Sequence, residues 1–102
     1  MTDTRADRAL GVACSLSDAE RRERLEDWRR LRDRSLIQPI RGGVRLVFQP
    51  DHSMFAVADL AQREAECCPF YDFTLNVTGE ERTLDITAGP GREAAVEALL
   101  GR

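Results

Sequence analysis

The sequence predicts an α+β domain built from an antiparallel sheet with helices packed on one face. Two segments space their apolar residues three and four apart, as helices do, and several short segments alternate apolar and polar residues, as half-buried strands do. In chain order these segments read β-α-β-β-α-β, followed by a further strand and a short helix. That order predicts a ferredoxin-like sheet extended by a C-terminal strand and helix. With 102 residues, of which 42% are hydrophobic, the chain is long enough to bury one core.

The first part of the chain predicts a polar tail, a short strand and a charged helix. Residues 1–9 are expected to be disordered, so that residues 10–102 form a single α+β domain. The apolar run "LGVACS", residues 10–15, is interpreted as an edge strand. Ser17 and Glu20 form a capping box, which predicts a helix from Asp18 to about Asp33. The inward residues are expected to be Ala19, Leu25, Trp28 and Leu31, and the solvated face is expected to pair Glu20 with Arg24 and Glu26 with Arg30.

The middle of the chain predicts a hairpin and a second helix. The segments "SLIQPI" and "VRLVFQ" flank the turn Arg41–Gly43, whose paired glycines suit a hairpin, and Pro39 indicates an edge strand. The second helix is expected to open at Pro50–Asp51 and to end before Pro69, because the residue before a proline is pushed out of helical geometry. Its predicted apolar stripe is Met54, Val57, Ala58, Ala61, Ala65 and Cys68.

The last part of the chain predicts a second hairpin and a short helix. The segments "YDFTLNV" and "RTLDIT" alternate around "TGEE", and "GPGREAAVEALLG" supplies a turn and a helix. Alternation divides the sheet into a covered face and an open face. The covered face is expected to hold Val44, Leu46, Phe48, Tyr71, Phe73, Leu75, Val77, Leu84 and Ile86, and the open face Arg45, Gln49, Asp72, Thr74, Asn76, Thr83 and Asp85.

The composition restricts the classes of partner. A net charge of −3 argues against a nucleic-acid-binding surface. The sequence shows no membrane-spanning run and no targeting segment, so we expect a cytoplasmic protein without a membrane partner. Cysteines stay reduced in that compartment, which favours a metal, redox or packing role for the three cysteines over a structural disulfide.

The predicted topology brings the three cysteines to one end of the fold. Cys14 precedes the first helix, and Cys67 and Cys68 end the second helix, which is expected to run antiparallel to the first. The single histidine, His52, opens the second helix at the opposite end, about 24 Å from Cys68 if the intervening residues are helical. A zinc site that uses all four residues is therefore not expected, and His52 is interpreted as a surface residue.

Three thiolates without a fourth protein ligand suit a soft metal or metalloid ion. Cys14 precedes the positive end of a helix dipole, which favours its thiolate, whereas Cys67 and Cys68 sit at a negative helix end. Coordination to a soft cation deprotonates a thiol in either setting. We therefore predict a site of Cys14, Cys67 and Cys68 for an ion of the Cu(I), Hg(II) or As(III) type.

The elements "ACSL" and "ECCPF", spaced some fifty residues apart and followed by an alternating strand, carry a family resemblance. From Val12 to Gly101 the chain resembles small bacterial proteins associated with heavy-metal resistance and metal-responsive regulators. Its layout is also similar to ferredoxin-like heavy-metal-associated domains, whose thiols occupy the loop before the first helix. Of their two loop thiols only Cys14 has a counterpart here, because Leu16 and Ser17 follow it. The resemblance implies metal binding.

The same residues leave two other interpretations open. In a thiol–disulfide redox protein, Cys14 would attack and Cys67 or Cys68 would resolve the reaction into a disulfide. In a non-catalytic interaction module, the cysteines would only pack in the core, and a homodimer would form on the sheet face or on the first helix near Trp28. An enzyme is expected only through the thiols, so a binding role is favoured over catalysis.

Overall fold

The computed structural model describes residues 16–101, and the predictions made for residues 1–15 lie outside them. Three helices and four strands follow one another along the described chain in the order α-β-β-α-β-β-α. They are α1 (Asp18–Asp33), β1 (Leu36–Ile40), β2 (Gly43–Phe48), α2 (Met54–Cys67), β3 (Tyr71–Val77), β4 (Arg82–Ala88) and α3 (Glu93–Leu99).

The four strands form one antiparallel sheet in the order β1-β2-β4-β3. The predicted C-terminal strand is the interior strand β4, which pairs with β2 on one side and with β3 on the other. This strand order and the packing of the helices are compatible with a ferredoxin-like fold, so the predicted α+β class is confirmed. None of the described helices is long and apolar enough to cross a membrane.

The core lies between one face of the sheet and the helices. The register places Val44 opposite Ile86 and Leu46 opposite Leu84, and these four side chains are buried. The predicted division into two faces is therefore confirmed along β2 and β4. Two residues depart from it: Val77 is 58% exposed at the end of the edge strand β3, and Thr83 is buried on the open face.

Helix α1 begins as predicted and buries a different set of residues. The Ser17 hydroxyl accepts a hydrogen bond from the Glu20 amide, and the Glu20 carboxylate accepts one from the Ser17 amide. Ala19 is exposed, whereas Arg24 is buried against the rest of the protein. The prediction that Arg24 belongs to a solvated, self-paired face is therefore wrong.

Two further expectations for α1 are corrected by the packing. Arg30 forms its ion pair with Asp27 rather than with Glu26. Trp28 is fully buried, with its indole stacked on the ring of Phe73 at a centroid distance of 5.6 Å. The Trp28 side chain itself cannot contribute to a dimer surface, because it is already covered within one chain. A dimer on the first helix near Trp28 stays a prediction.

Helix α2 begins at Met54, after the N-cap Ser53, and therefore later than Pro50–Asp51. The residues before it form a turn, in which His52 donates its amide N–H to Gln49. The predicted stripe is also displaced. Ala58 is exposed, and the buried helix residues are Val57, Leu60, Ala61, Glu64 and Cys67.

The β1–β2 turn is tight, as its glycines predict. Gly42 has φ +83°, a conformation that favours glycine. At Gly43 an added Cβ atom would lie 1.9 Å from the Ile86 carbonyl oxygen, so that only glycine fits against β4. The turn lies at the end of the sheet that also holds the first residue of β3, since Gly43 pairs with Thr87 and Tyr71 with Ala88.

Candidate thiol site at the end of the second helix

The sequence "CCP" ends α2 and fixes the two neighbouring cysteines in different conformations. Cys67 is the last helical residue, and Cys68 leaves the helix with φ −128° and ψ 86°, as expected for a residue before proline. Cys68 still donates its amide N–H to the Glu64 carbonyl at 2.7 Å, and its own carbonyl accepts from the Tyr71 amide at 3.2 Å. These two hydrogen bonds hold Cys68 between the end of α2 and the start of β3.

The two cysteines also differ in oxidation state. Cys67 is bound in a disulfide, whereas Cys68 keeps its thiol and is buried. The partner of Cys67 is not among residues 16–101, because these residues contain no third cysteine. Cys14, the remaining cysteine of the chain and the third predicted ligand, lies outside the described residues.

Helices α1 and α2 place the residues that follow Cys14 at the same end as Cys67. The N-terminal half of α1 contacts the C-terminal half of α2, since Arg21 and Arg24 both reach Glu64. The C-terminal half of α1 lies beside the start of α2, since Arg30 and Leu31 line one cavity with His52 and Ala56. The two helices therefore run antiparallel, as predicted from the topology. The position of Cys14 itself stays a prediction.

Glu64, one turn before Cys68, is a fully buried carboxylate that ties the two helices together. Its Oε1 atom accepts a hydrogen bond from the Trp28 indole at 3.0 Å and a longer one from Arg24 at 3.4 Å. Its Oε2 atom lies 3.8 Å from a guanidinium nitrogen of Arg21. A buried carboxylate requires such partners, because an uncompensated charge in the core costs several kcal/mol, on the order of 3–5.

The Oε2 atom of Glu64 faces a less complete environment. It is buried and accepts no hydrogen bond of normal geometry from the residues that the structure describes. The Arg21 guanidinium lies 3.8 Å from it, and the Cys68 thiol lies within hydrogen-bonding reach of both the Glu64 carboxylate and the Arg21 guanidinium. A thiol is a weak donor, so this contact only partly satisfies a carboxylate oxygen.

These surroundings keep the Cys68 thiol protonated. Burial raises the pKa of Cys68, and the negative charge of Glu64 and its hydrogen bond with the thiol raise it further. The guanidinium of Arg21 acts in the opposite direction on the same pKa and is the weaker influence. Cys68 is therefore not an activated nucleophile at neutral pH, in agreement with the prediction made from its position at a helix C-terminus, although burial and Glu64 are the main causes.

Sequence reasoning missed Glu64, Arg21 and Arg24 as members of this site. The signal was present in the spacing, because Val57, Leu60 or Ala61 and Glu64 follow one another at three or four residues along one face of α2. A charged residue on such a stripe indicates a buried ion pair. Arg21, Arg24 and Trp28 have the matching spacing on α1.

Aromatic residues surround the start of β3 beside the two cysteines. Phe70 lies against the ring of Tyr71 at 4.6 Å between centroids, and the guanidinium of Arg92 lies over Phe70 at 5.0 Å. The Tyr71 hydroxyl donates to the Ala95 carbonyl at 2.9 Å, which ties β3 to α3. Cys67 and Cys68 are buried as well, so both cysteines lie among packed side chains.

His52 is placed at the other end of α2, as expected. Its ring stacks on Phe48 at 4.7 Å between centroids and is partly buried, so it is not a fully exposed surface residue. Within residues 16–101 no group of three or more histidine, cysteine, aspartate or glutamate side chains could hold a metal ion. A three-ligand metal site therefore requires a donor from outside this range.

Comparisons of the chain with protein-family models, with curated proteins and with solved structures gave no match. The resemblance to heavy-metal-resistance proteins stays a prediction.

Proposed function

We propose that this domain binds a soft metal or metalloid ion through the thiolates of Cys14, Cys67 and Cys68. The observation that supports the proposal is the disulfide at Cys67 beside the buried thiol of Cys68. A disulfide needs a second sulfur about 2 Å away. If Cys14 supplies that sulfur, the sulfur atoms of Cys14 and Cys67 lie together, and the thiol of Cys68 belongs to the next residue of the chain.

The proposed site would form after reduction of the disulfide. Two electrons and two protons from an external dithiol convert the disulfide at Cys67 into two thiols, and the dithiol leaves as its own disulfide. A reducing compartment such as the cytoplasm, the location expected from the sequence, supplies such reductants. Each thiol then releases one proton when its sulfur binds the ion.

The surroundings of Cys68 favour a soft ion, because only a strongly sulfur-binding ion can displace the proton of this thiol. Burial and Glu64 hold the thiol in its protonated form, so the thiolate needs a strong competitor for the proton. Cu(I), Hg(II) and As(III) bind sulfur strongly enough to displace it, and they accept two or three thiolates. Arg21, within reach of the same sulfur, would offset part of the negative charge of the metal–thiolate group.

The test is a metal titration of the full chain, reduced and then freed of reductant under anaerobic conditions. Hg(II) or Cu(I) should give thiolate-to-metal charge-transfer absorbance that saturates at one ion per chain. Single Cys→Ser substitutions at positions 14, 67 and 68 should each weaken binding, and the triple substitution should abolish it. Met54→Leu, which removes a soft sulfur distant from the site, is the matched control. Unchanged stoichiometry in the triple variant would contradict the proposal.

The disulfide also favours a second candidate, a reversible thiol switch between Cys14 and Cys67. Peroxide would take two electrons and two protons from the thiols, giving one disulfide and two waters. The two candidates differ at Cys68. Cys68→Ser should leave disulfide formation intact, as read by mass spectrometry after mild peroxide, whereas it should weaken metal binding.

A further inference from the structure

Strand β3 and helix α2 form an edge of the domain that is unusually apolar. Phe55 is 90% exposed and Val77 58% exposed, and both line a groove of about 460 Å³ together with Met54, Ala58, Leu75 and the side chain of Arg82. Solitary exposed apolar residues are common, but a contiguous apolar groove with a protruding aromatic ring indicates a contact surface.

A second groove continues along the same edge toward the cysteine end. It has a volume of about 330 Å³. Ala58, Ala61, Gln62 and Ala65 line it on the helix side, and Tyr71, Asp72, Phe73 and Leu75 line it on the β3 side. One edge therefore carries a protruding ring at one end and a shallow alanine-lined groove at the other.

The backbone of β3 is available along this edge. β3 is the last strand of the described sheet and pairs only with β4 there. The Ala88 amide donates to the Gly42 carbonyl at 3.3 Å, on the β2 side of β4. Successive residues of a strand point their backbone groups to opposite sides. Because the backbone groups of Ala88 point toward β2, those of Thr87 point toward β3, where they face the backbone groups of its partner Asp72.

The same alternation determines which residues of β3 point outward. Asp72, Thr74 and Asn76 direct their backbone groups to β4, so Phe73, Leu75 and Val77 direct theirs away from the sheet. The backbone groups of Tyr71 also point away from the sheet, although its N–H is already donated to the Cys68 carbonyl. The outward groups form a ladder that a further strand can pair with.

We propose that a second copy of this chain occupies the edge, by antiparallel pairing of β3 with β3 about a two-fold axis at Thr74. This register sets residues 71–77 of the two copies side by side, and the free outward N–H groups of Phe73, Leu75 and Val77 become donors to the second copy. It pairs Phe73, whose backbone N–H and C=O point away from the sheet, with Leu75 of the second copy. It also pairs Tyr71 with Val77 of the second copy. On the open face it sets Asp72 opposite Asn76, so no like charges meet.

The side chains of the edge are self-complementary in this arrangement. Phe55 and Val77 line the same groove, and Val77 pairs with Tyr71 of the second copy. Tyr71 lines the alanine groove together with Ala65. Each protruding Phe55 ring therefore meets the alanine groove of the other copy, twice per dimer. A two-fold interface requires this match between a surface and itself.

This surface differs from those predicted from the sequence, which were the open sheet face and the region of Trp28. The proposal does not depend on metal binding, because the cysteines take no part in the pairing.

The test measures mass and backbone protection on the full chain in the presence of a thiol reductant, so that no disulfide joins two copies. Light scattering at tens of micromolar should give twice the 11.5 kDa of one chain. Amide hydrogen exchange at Phe73 and Leu75 should slow as the concentration rises, because these N–H groups become bonded only in the dimer. The double variant Phe55→Lys/Val77→Lys should weaken the dimer at least about tenfold.

Leu36→Lys is the matched control, because Leu36 is 73% exposed on the opposite edge strand β1 and should leave the dimer intact. Circular dichroism checks that both variants fold. A monomer at every concentration overturns the proposal, and so does a dimer weakened by the control but not by the double variant. A monomer with Phe73 and Leu75 protected at all concentrations also overturns it, and would indicate that residues 1–15 cover the edge.

Discussion

Replacing Glu64 by alanine should be the most destabilising polar substitution in the described part of the domain. The substitution removes a fully buried carboxylate and leaves the Trp28 indole without its acceptor at 3.0 Å. It also leaves Arg24, only 9% exposed, without its buried counter-charge. Removing one partner of a buried ion pair costs about 3–5 kcal/mol, because the other charge stays buried.

The individual contacts rank the related substitutions. The Arg24 hydrogen bond is long at 3.4 Å, so we place Glu64→Ala near the lower end of that range, at about 3 kcal/mol. Glu64→Gln keeps an acceptor for Trp28 but also leaves Arg24 without its counter-charge, so it should cost less than Glu64→Ala but still about 2 kcal/mol. Arg21→Ala should cost less than about 1 kcal/mol, because the Arg21 side chain is 40% exposed and 3.8 Å from the carboxylate.

The measurement is urea unfolding, followed by tryptophan fluorescence and by circular dichroism. Trp28 is the only tryptophan and contacts Glu64, so fluorescence reports the site and circular dichroism reports the whole fold. Glu66→Ala, at an exposed position of the same helix, is the matched control and should change the free energy of unfolding by less than about 0.5 kcal/mol. A loss below 1 kcal/mol in Glu64→Ala, or one equal to the control, would refute the assignment of Glu64 as the buried tie between the helices.

Three further predictions concern the turn, the tyrosine and the first helix cap. Gly43→Ala should destabilise the domain by more than about 3 kcal/mol, because a Cβ atom would collide with the backbone of β4. Gly79→Ala, with open space around the residue, should be nearly neutral, and chemical unfolding compares the two variants. Burial raises the pKa of Tyr71 to about 12, so the single tyrosine should ionise near pH 12 when followed by ultraviolet absorbance. Its contribution to stability should be complete below pH 10 and lost between pH 10 and 12. Ionisation near pH 10 in the folded protein would contradict this prediction. The Ser17 hydroxyl lowers the pKa of Glu20 through a hydrogen bond, so Ser17→Ala should raise that pKa toward 4.5 in an NMR titration, and the stabilisation by Glu20 should disappear as the pH falls below about 4.5. An unchanged pKa in the variant would argue against the hydrogen bond between the Ser17 hydroxyl and the Glu20 carboxylate.

The elements of the described fold could be read from local sequence because their signals are local. The capping box at Ser17 depends on residues three apart, and both of its hydrogen bonds are present. The end of α2 follows from Pro69 and the hairpin turn from Gly42 and Gly43. Strand alternation assigned the covered face because each residue's side follows from its neighbours.

The polar part of the thiol site could not be predicted in the same way. Glu64 is buried because residues 36 and 40 positions away in sequence supply its donors. A pattern that divides residues into apolar and polar gives no account of such pairs, and it assigned Arg24 to a solvated face. For Cys68, the helix end correctly predicted a disfavoured thiolate, but the main causes, burial and the charge of Glu64, depend on tertiary packing.

The strand order has a consequence for the order in which the domain assembles. β2 and β3 form no pairs with each other, and each is hydrogen-bonded to β4. Until β4 is inserted, the strands described within residues 16–101 form one hairpin and one separate strand, and Leu84 and Ile86 are missing from the middle of the core. We expect a highly cooperative transition with little partly formed sheet, in which conservative changes in β4 slow folding more than equally destabilising changes in β1.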